Sequence, residues 1–316
     1  MTLAKRHYIS VIMASEIPFV RDLNFGYGKV DQVTPLIRRV IAENPGPFTF
    51  HGTGTYIVGH GNLAVIDPGP LVDNHVDALL AAVANETVTH ILVTHTHRDH
   101  SPAAEPFKRA TGAPVFAQGP HSLGTTWSDV DRTSSLGADL DFQPDHVVHD
   151  GDIIAGDGWT FEVVHTPGHT NNHLCFALQE ESALFSGDQV MGWSTTVVSP
   201  PDGDMRDYIQ SCRKLLDRDD ATYWPTHGPC ITDPKKYVAA LIEHREQREV
   251  AITDALQAGT NTIAEIVADM YKDVSINLHA AAARVVHAHL VHMMQTVRAT
   301  CDGPPTDDAT YEALDE

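Results

Sequence analysis

Residues 94–102 constrain the fold of this chain more than any other stretch, because they place four metal-capable side chains on one short turn. The turn reads Thr-His-Thr-His-Arg-Asp-His-Ser-Pro. Residues 90–93 before it are largely apolar, a pattern typical of a buried strand. Ser101 and Pro102 after it suit the N-cap and the first turn of a helix. The sequence therefore predicts a strand, a metal-binding turn and a helix, with the candidate ligands His95, His97, Asp99 and His100.

Further ligand-type residues follow other predicted strands. One turn cannot fill two zinc sites, because each zinc binds about four ligands drawn from His, Cys and carboxylate. Residues 160–166, 182–186 and 221–226 each read as a strand that ends near a Gly or Pro turn. Rigid scaffolds commonly carry functional residues on such loops. The ligand-type residues at these three turns are His169, Asp188 and His227.

Taken together, these motifs resemble those of the metallo-β-lactamase-fold hydrolases. The His-x-His-x-Asp-His stretch and the later Gly-His, Gly-Asp and Thr-His-Gly turns occur in that family's order between residues 95 and 227. The resemblance implies a first metal held by His95, His97 and His169. It implies a second metal held by Asp99, His100 and His227. It also implies that Asp188 bridges the two.

The resemblance also implies the architecture. It predicts an α+β fold with a four-layer αβ/βα sandwich over residues 1–233. Residues 187–205 are similar to the branch named for β-lactamase-like protein 2, whose members end in a winged helix. Residues 234–316 show apolar residues at helical spacing, then a candidate hairpin and an acidic end. We therefore expect a helical, winged-helix-like domain with an acidic tail there.

The charge of the chain limits its partners. Its formal net charge is −21, so it repels nucleic acid phosphates unless a local basic patch compensates. Residues 234–300 hold seven Lys plus Arg against seven Asp plus Glu, which makes a poor phosphate clamp. These counts favour a small-molecule substrate over nucleic acid. An apolar face on the helical tail would suit a homodimer.

Cysteines and hydropathy indicate the compartment. The four cysteines are widely spaced and form no Cys-x-x-Cys pair. We expect them to be reduced, in a cytoplasmic protein. No stretch approaches the roughly 20 apolar residues that a membrane span requires, so no membrane association is expected.

The chemistry expected of the predicted site is metal-assisted hydrolysis. Two divalent ions about 3.5 to 4 Å apart make a shared water acidic enough to give a bridging hydroxide near neutral pH. The resemblance implies attack on an ester, thioester, lactone or related bond, with Asp99 taking the proton of the water. The histidine-rich donor set, which lacks cysteine, favours two zinc ions, and manganese and iron stay open.

Four alternatives remain at this stage. The winged-helix resemblance also suits a metal-dependent endoribonuclease. Weak β-lactamase activity is a second alternative, although Asp188 disfavours it because class B β-lactamases generally lack this bridging residue. A metal-bearing binding module that uses the helical tail is a third. A mononuclear iron persulfide dioxygenase is the most distant.

Several residues are expected around the metals. Asp67 ends a predicted strand, and the resemblance places it behind the metal turn as a support. The polar segment 118–145 is long enough to be a lid, and its residues that could reach substrate are His121, Trp127 and Phe142. The remaining candidates for substrate contact follow the Asp188 turn or lie on the next helix: Thr195, Thr196 and Tyr208.

Overall fold

Two β-sheets form the centre of the computed structural model, which describes residues 17–122, 137–272 and 275–314. The first sheet runs in chain order through β1 (Val30–Gln32), β2 (Ile37–Ile41), β3 (Gly54–Val58), β4 (Asn62–Ile66), β5 (Thr87–Leu92), β6 (Val115–Ala117) and β7 (His146–Val147). The second contains β8 (Ile153–Gly156), β9 (Trp159–His165), β10 (Leu174–Leu178), β11 (Ala183–Gly187) and β12 (Thr222–Pro225). Its strand order is β12-β11-β10-β9-β8.

Helices cover the outer faces of both sheets. Helices α1 (Asp73–Ala82) and α2 (Ala104–Thr111) cover the first sheet, and α3 (Met205–Leu216) and α4 (Pro234–Gln257) cover the second. Helices α5 (Ile263–Met270) and α6 (His279–Gln295) follow in the C-terminal part. A 3-10 turn, Ile276–Leu278, precedes α6. The chain then forms a hairpin of β13 (Ala299–Cys301) and β14 (Tyr311–Ala313). No helix within the described ranges combines the length and apolarity needed to cross a membrane.

Strand periodicity explains the layers. Successive side chains of a strand point to opposite faces, so in β9 Val163 enters the core between the two sheets and Val164 packs outward toward α3 and α4. In β4, Ile66 faces the other sheet and Val65 faces α1 and α2. Both sheets are therefore buried on two faces, and the predicted αβ/βα sandwich and α+β class are confirmed.

The direction of the strands brings the predicted ligands to one edge. β4 and β5 are parallel, as are β11 and β12. β9 runs in the same direction as β11, because β10 is antiparallel to both. The carboxyl ends of strands that run in one direction meet at one edge of a sheet, which is where α/β folds place their sites. The residues that follow these strand ends are Asp67, the 94–102 turn, His169, Asp188 and His227.

The helix after the metal turn begins later than the sequence predicts. α2 starts at Ala104, and the Ser101 hydroxyl makes no cap. It donates instead to the Asp139 carboxylate at 2.7 Å. The N-cap prediction for Ser101 is therefore wrong, because a tertiary partner from the segment after residue 136 replaces the local one.

The C-terminal elements form a second core around α5 and α6. Thr262 and Glu265 make a reciprocal capping box at the start of α5. α4 contributes to both cores, since Leu241 packs with the second sheet's outer layer and Ile252 packs with α5 and α6. Three helices followed by a hairpin match the predicted winged-helix arrangement. The domain boundary at residue 233 stays a prediction, and so does the homodimer.

Candidate metal centre

Three histidines form the first ligand cluster. The Nδ1 atom of His97 lies 3.0 Å from Nε2 of His95 and 3.1 Å from Nε2 of His169. Each Nδ1 of the other two has a partner: Thr94 Oγ1 at 3.0 Å for His95, and the Val197 carbonyl at 2.7 Å for His169. The outer contacts thus turn both Nε2 atoms toward His97, as expected for a shared cation.

The second cluster lies beside the first. Nε2 of His227 lies 3.2 Å from Oδ2 of Asp99, and Nε2 of His100 lies 3.7 Å from the same oxygen. Nδ1 of His227 faces the Gly52 carbonyl at 3.2 Å. Both histidine side chains are fully buried. One carboxylate and two imidazoles therefore offer a three-ligand site of the kind that catalytic zinc uses.

Asp188 lies between the two clusters. Its Oδ1 is 3.6 Å from Nε2 of His100 and 3.5 Å from Nε2 of His227. Its Oδ2 is 3.6 Å from Nε2 of His169, in the first cluster. Each carboxylate oxygen of Asp188 therefore faces one cluster, which is the arrangement a bridging ligand requires.

Unpartnered buried atoms test whether these residues suit metal ions. Nε2 of His100, Nε2 of His227 and Oδ1 of Asp188 are buried and have no hydrogen-bond partner among the described residues. A buried polar atom left without a partner costs about 1 to 3 kcal/mol. These three atoms face one another, since Oδ1 of Asp188 lies 3.6 and 3.5 Å from the two Nε2 atoms. A divalent cation there would satisfy all of them, so the residues fit the metal.

The two clusters differ in their affinity for protons. Burial, aided by the neighbouring histidines, lowers the pKa of His95 well below its ordinary value and that of His169 to about 4. Burial alone would also lower the pKa of His100 and His227, but the charges of Asp99 and Asp188 outweigh it and raise both. His95 and His169 are thus neutral and ready to ligate, whereas protons compete with metal for His100 and His227.

Metal binding near neutral pH is therefore expected to release protons, because a protonated His100 or His227 must lose the proton on its Nε2 to ligate. A raised pKa means that the proton is held below that pKa and lost above it, so apparent metal affinity should rise with pH across this range. Calorimetric titration of zinc into chelator-treated protein, in two buffers of different ionisation enthalpy, measures the release. A heat of binding independent of the buffer would contradict the expected proton release. The control is His149→Ala, at an exposed position.

Asp67 lies behind the metal turn and forms hydrogen bonds to it. Its Oδ1 accepts from the Thr94 amide at 2.8 Å, and its Oδ2 accepts from the Thr94 and Thr226 hydroxyls at 2.8 and 3.0 Å. Oδ2 also lies 2.9 Å from Nδ1 of His100. With φ at +47°, Asp67 adopts a conformation that aspartate tolerates better than most residues. One fully buried carboxylate thus fixes the turn and orients a ligand.

His173 supports the opposite side of the site. Its Nε2 accepts from the Asp188 amide at 3.1 Å, and its Nδ1 lies 2.9 Å from the Thr166 hydroxyl. Burial lowers the pKa of His173 well below its ordinary value, so the ring is neutral and can accept at Nε2. His173 therefore holds the backbone of Asp188 in position.

Two contributors to the site were not identified from the sequence. Oδ2 of the buried Asp202 lies 3.6 Å from Nε2 of His97 and 3.9 Å from Nε2 of His121, so it backs a first-cluster histidine. Gly168, with φ at +137°, lets the His169 turn approach α3, because an added Cβ would lie 2.3 Å from the Tyr208 amide. In the sequence, these residues stand in a Pro-Asp-Gly turn and a Pro-Gly-His turn. Neither turn motif reveals a contact with residues far away in the sequence.

Several expected substrate contacts need correction. Tyr208 is fully buried, with the Arg245 guanidinium 5.1 Å from its ring centroid. Thr196 is 1% exposed, and its hydroxyl donates to the Asp188 carbonyl at 2.7 Å. Phe142 belongs to the core beside α2. These three side chains are enclosed by protein and do not line the site, so the predictions of substrate contact for them are wrong.

The other three candidates for substrate contact have different surroundings. Thr195 lines the cavity beside the clusters and stays a candidate for substrate contact. His121 is buried beneath the metal turn, 3.0 Å from the Thr96 hydroxyl. Trp127 lies outside the residues that the structure describes, as does the middle of the predicted lid.

A cavity of about 840 Å³ opens above the two clusters. His97, Asp99, His169 and Asp188 form part of its wall. The remaining wall is largely apolar and includes Phe48, Met191, Trp193, Val197 and Pro201. Its volume is within the range of small-molecule sites, which is about 300 to 1,000 Å³.

The chain belongs to the metallo-β-lactamase superfamily and is a hydrolase of that class. Residues 49–227 match the domain described as the metallo-beta-lactamase superfamily. Residues 262–303 match the beta-lactamase associated winged helix domain. The second match confirms the winged helix predicted for the C-terminal part.

Within the superfamily, the chain is similar to the β-lactamase-like protein 2 branch. It is 33% identical over 236 residues to a beta-lactamase-like protein 2 homolog of Caenorhabditis elegans, covering 72% of this chain and 73% of the relative. It is 29% identical over 252 residues to an atrochrysone carboxyl ACP thioesterase of Claviceps purpurea, covering 77% and 74%.

Solved structures share the fold at low sequence identity. A beta-lactamase domain protein from Burkholderia ambifaria superposes with a TM-score of 0.76 at 19% identity, covering 93% of this chain and 96% of that one. A metallo-beta-lactamase family protein from Thermus thermophilus gives 0.71 at 21%, covering 89% and 100%. The coverage indicates that both share the C-terminal part of the fold as well as the sandwich.

Proposed function

We propose that this protein is a dinuclear metal-dependent hydrolase of small-molecule thioesters, with activity extending to related esters and lactones. The observation that carries the proposal is the convergence of seven ligand side chains, three with unpartnered buried atoms, beside a largely apolar cavity whose wall includes four of them. The ligands are His95, His97, His169, Asp99, His100, His227 and Asp188.

The donor atoms favour two zinc ions. Imidazole and carboxylate donors suit zinc, and none of the seven ligands is a cysteine; manganese and iron also accept such donors. When bound, a pair of divalent ions supplies Lewis acidity and a water acidic enough to attack near neutral pH. Hydrogen bonds from His100 to Asp67 and from the Asp188 amide to His173 orient two of the residues that would hold the ions.

A side chain of the protein is placed to accept the proton of the attacking water. Water attacks the thioester carbonyl carbon, the carbon–sulfur bond breaks, and a carboxylic acid and a thiol leave. The Asp99 side chain is 28% exposed and borders the cavity, so it is placed to accept the proton of the attacking water. Burial would raise the pKa of Asp99, but His100 and His227 hold it below its ordinary value, so Asp99 is ionised at neutral pH.

The cavity wall and the relatives favour a thioester. Trp193 stacks on Phe50 with ring centroids 4.8 Å apart and an interplanar angle of 16°, which fixes an apolar wall beside Phe48 and Met191. Such a wall suits an acyl chain. Relatives named atrochrysone carboxyl ACP thioesterases support the same bond type.

A second candidate function is an endoribonuclease, favoured by the winged helix. The net charge of −21 and the balanced charge of residues 234–300 weigh against it. Metal-dependent cleavage of single-stranded RNA at low salt, where electrostatic binding is strongest, would support this function. Its absence under those conditions, together with thioester turnover, would reject it.

A substrate panel tests the proposal. Zinc-loaded protein should hydrolyse hexanoyl-N-acetylcysteamine at least about 100-fold faster than the His97→Ala variant. The variant lacks one of the three histidines that would hold the first metal ion. Free thiol is measured with a chromogenic disulfide. His149→Ala, whose side chain is 72% exposed, is the matched control and should keep wild-type activity. Equal rates for wild type and His97→Ala on every thioester, ester and lactone would overturn the proposal.

A further inference from the structure

The C-terminal domain forms part of the wall of the catalytic cavity. Arg284 and His287 of α6 line the same cavity as the metal ligands. Residues 305–307, in the loop of the β13–β14 hairpin, lie beside them. The winged helix is thus placed to contact whatever the metal centre cleaves, and its side chains can select the substrate.

Charge is unevenly distributed over that wall. Its basic residues are Arg98, beside the metal ligands, and Arg284, on the C-terminal domain. Its acidic residues each have another role or partner. Asp99 and Asp188 belong to the ligand clusters, Asp202 lies behind His97, and Asp307 is 3.0 Å from Nδ1 of His287. Arg98 and Arg284 are therefore the basic residues of the wall that form no described ion pair with its carboxylates.

Both arginines are exposed. The Arg98 amide donates to the Gly137 carbonyl at 2.7 Å, and its Nε donates to the Ala138 carbonyl at 3.1 Å. These bonds fix the base of its guanidinium. Within the described ranges, neither Arg98 nor Arg284 forms an ion pair with a carboxylate. In a chain with 42 acidic residues, two such arginines on one cavity wall are a local concentration of positive charge that would attract an anion.

We propose that Arg284, with Arg98, binds an anionic group of the substrate, a carboxylate or a phosphate remote from the scissile thioester. A guanidinium offers paired N–H donors that match either oxyanion. The apolar wall at Phe48 and Trp193 takes the uncharged part of the same molecule. This inference rests on the proposed function and adds to it the chemical class of the substrate.

Three substrates with a common six-carbon acyl chain test the inference. They are neutral hexanoyl-N-acetylcysteamine, adipoyl-N-acetylcysteamine with a carboxylate on the acyl group, and hexanoyl-coenzyme A with phosphates on the thiol. Arg284→Gln should lower kcat/KM about tenfold for an anionic substrate and leave the neutral one unchanged. The difference in kcat/KM between wild type and Arg284→Gln on the anionic substrate should shrink with added salt. The matched control is Arg109→Gln, on α2, whose side chain is 70% exposed and which removes the same charge elsewhere.

The outcomes separate the two sources of the anion. If Arg284→Gln lowers kcat/KM only for the adipoyl substrate, the bound anion is on the acyl side. If it lowers kcat/KM only for the coenzyme A substrate, the bound anion is on the thiol side. Equal kcat/KM for wild type and Arg284→Gln on both anionic substrates would overturn the inference while leaving thioester hydrolysis intact.

A binding measurement keeps the inference testable if no thioester is cleaved. In that case calorimetry with adipate and with the thioether S-hexyl-coenzyme A replaces turnover. Weaker binding of either probe by Arg284→Gln than by Arg109→Gln would support the anion site although the proposed function had failed. Equal binding by both variants, or no binding by wild type, would reject it.

Discussion

Asp188→Asn is expected to lower kcat/KM toward a thioester about 10³-fold, equivalent to about 4 kcal/mol. The two carboxylate oxygens of Asp188 face different clusters, Oδ1 toward His100 and His227 and Oδ2 toward His169. An asparagine keeps the shape but loses the negative charge, and its amide nitrogen is a poor metal ligand. We therefore expect bound metal to fall from about two ions per chain to about one. Elemental analysis of the purified variant measures this directly.

The control for this substitution is Asp219→Asn, because the Asp219 side chain is 93% exposed and undergoes the same chemical change far from the clusters. It should keep both metals and full activity. An Asp188→Asn protein that retained two metals and wild-type kcat/KM would contradict a bridging role for Asp188. Retention of two metals with lost activity would instead place its role in catalysis alone.

Asp67→Ala is expected to destabilise the protein by about 3 kcal/mol or more, since removing one partner of a buried charged network commonly costs 3 to 5 kcal/mol. The change would leave the Thr94 amide, two hydroxyls and Nδ1 of His100 without their acceptor. It would also place alanine at a φ of +47°, which alanine adopts less readily than aspartate. Chemical denaturation of the chelator-treated protein measures the loss.

Asp67→Asn separates the metal effect from the backbone effect, because asparagine accepts a positive φ. It should lower metal affinity about 10- to 100-fold, since it removes the carboxylate that orients His100. Asp77→Asn, at an exposed position of α1, is the control and should match wild type. Wild-type stability in Asp67→Ala, or wild-type zinc affinity in Asp67→Asn, would show that this carboxylate does not support the turn.

The candidate ligands were predicted from local pattern, and the fold was predicted from the family resemblance that their order carries. Apolar runs that end at Gly or Pro turns mark strands whose ends carry function, and Asp188 and His227 each follow such a run. The start of α2 was not predictable, because Ser101 has a tertiary partner in Asp139 that is 38 residues away. Local capping rules describe a helix end only when no distant group competes.

Substrate contacts depended on packing that no spacing reveals. The helical pattern of α3 could not show that Tyr208 lies under Arg245 of α4, a contact between two elements. Nor could it show that the Thr196 hydroxyl turns back to the Asp188 carbonyl. A polar residue one turn from a metal ligand can face the cavity or the core, and only the neighbouring element decides which.

The sequence alone determined the chemistry: which side chains can ligate, in which order, and on which strand ends. It did so because ligand type and strand periodicity are properties of single residues and near neighbours. Tertiary structure alone decided which groups stand behind and above the site, such as Asp202 against His97 and Arg284 on the cavity wall. Those contacts join elements far apart in the chain, and their geometry exists only once both sheets and the C-terminal helices have packed.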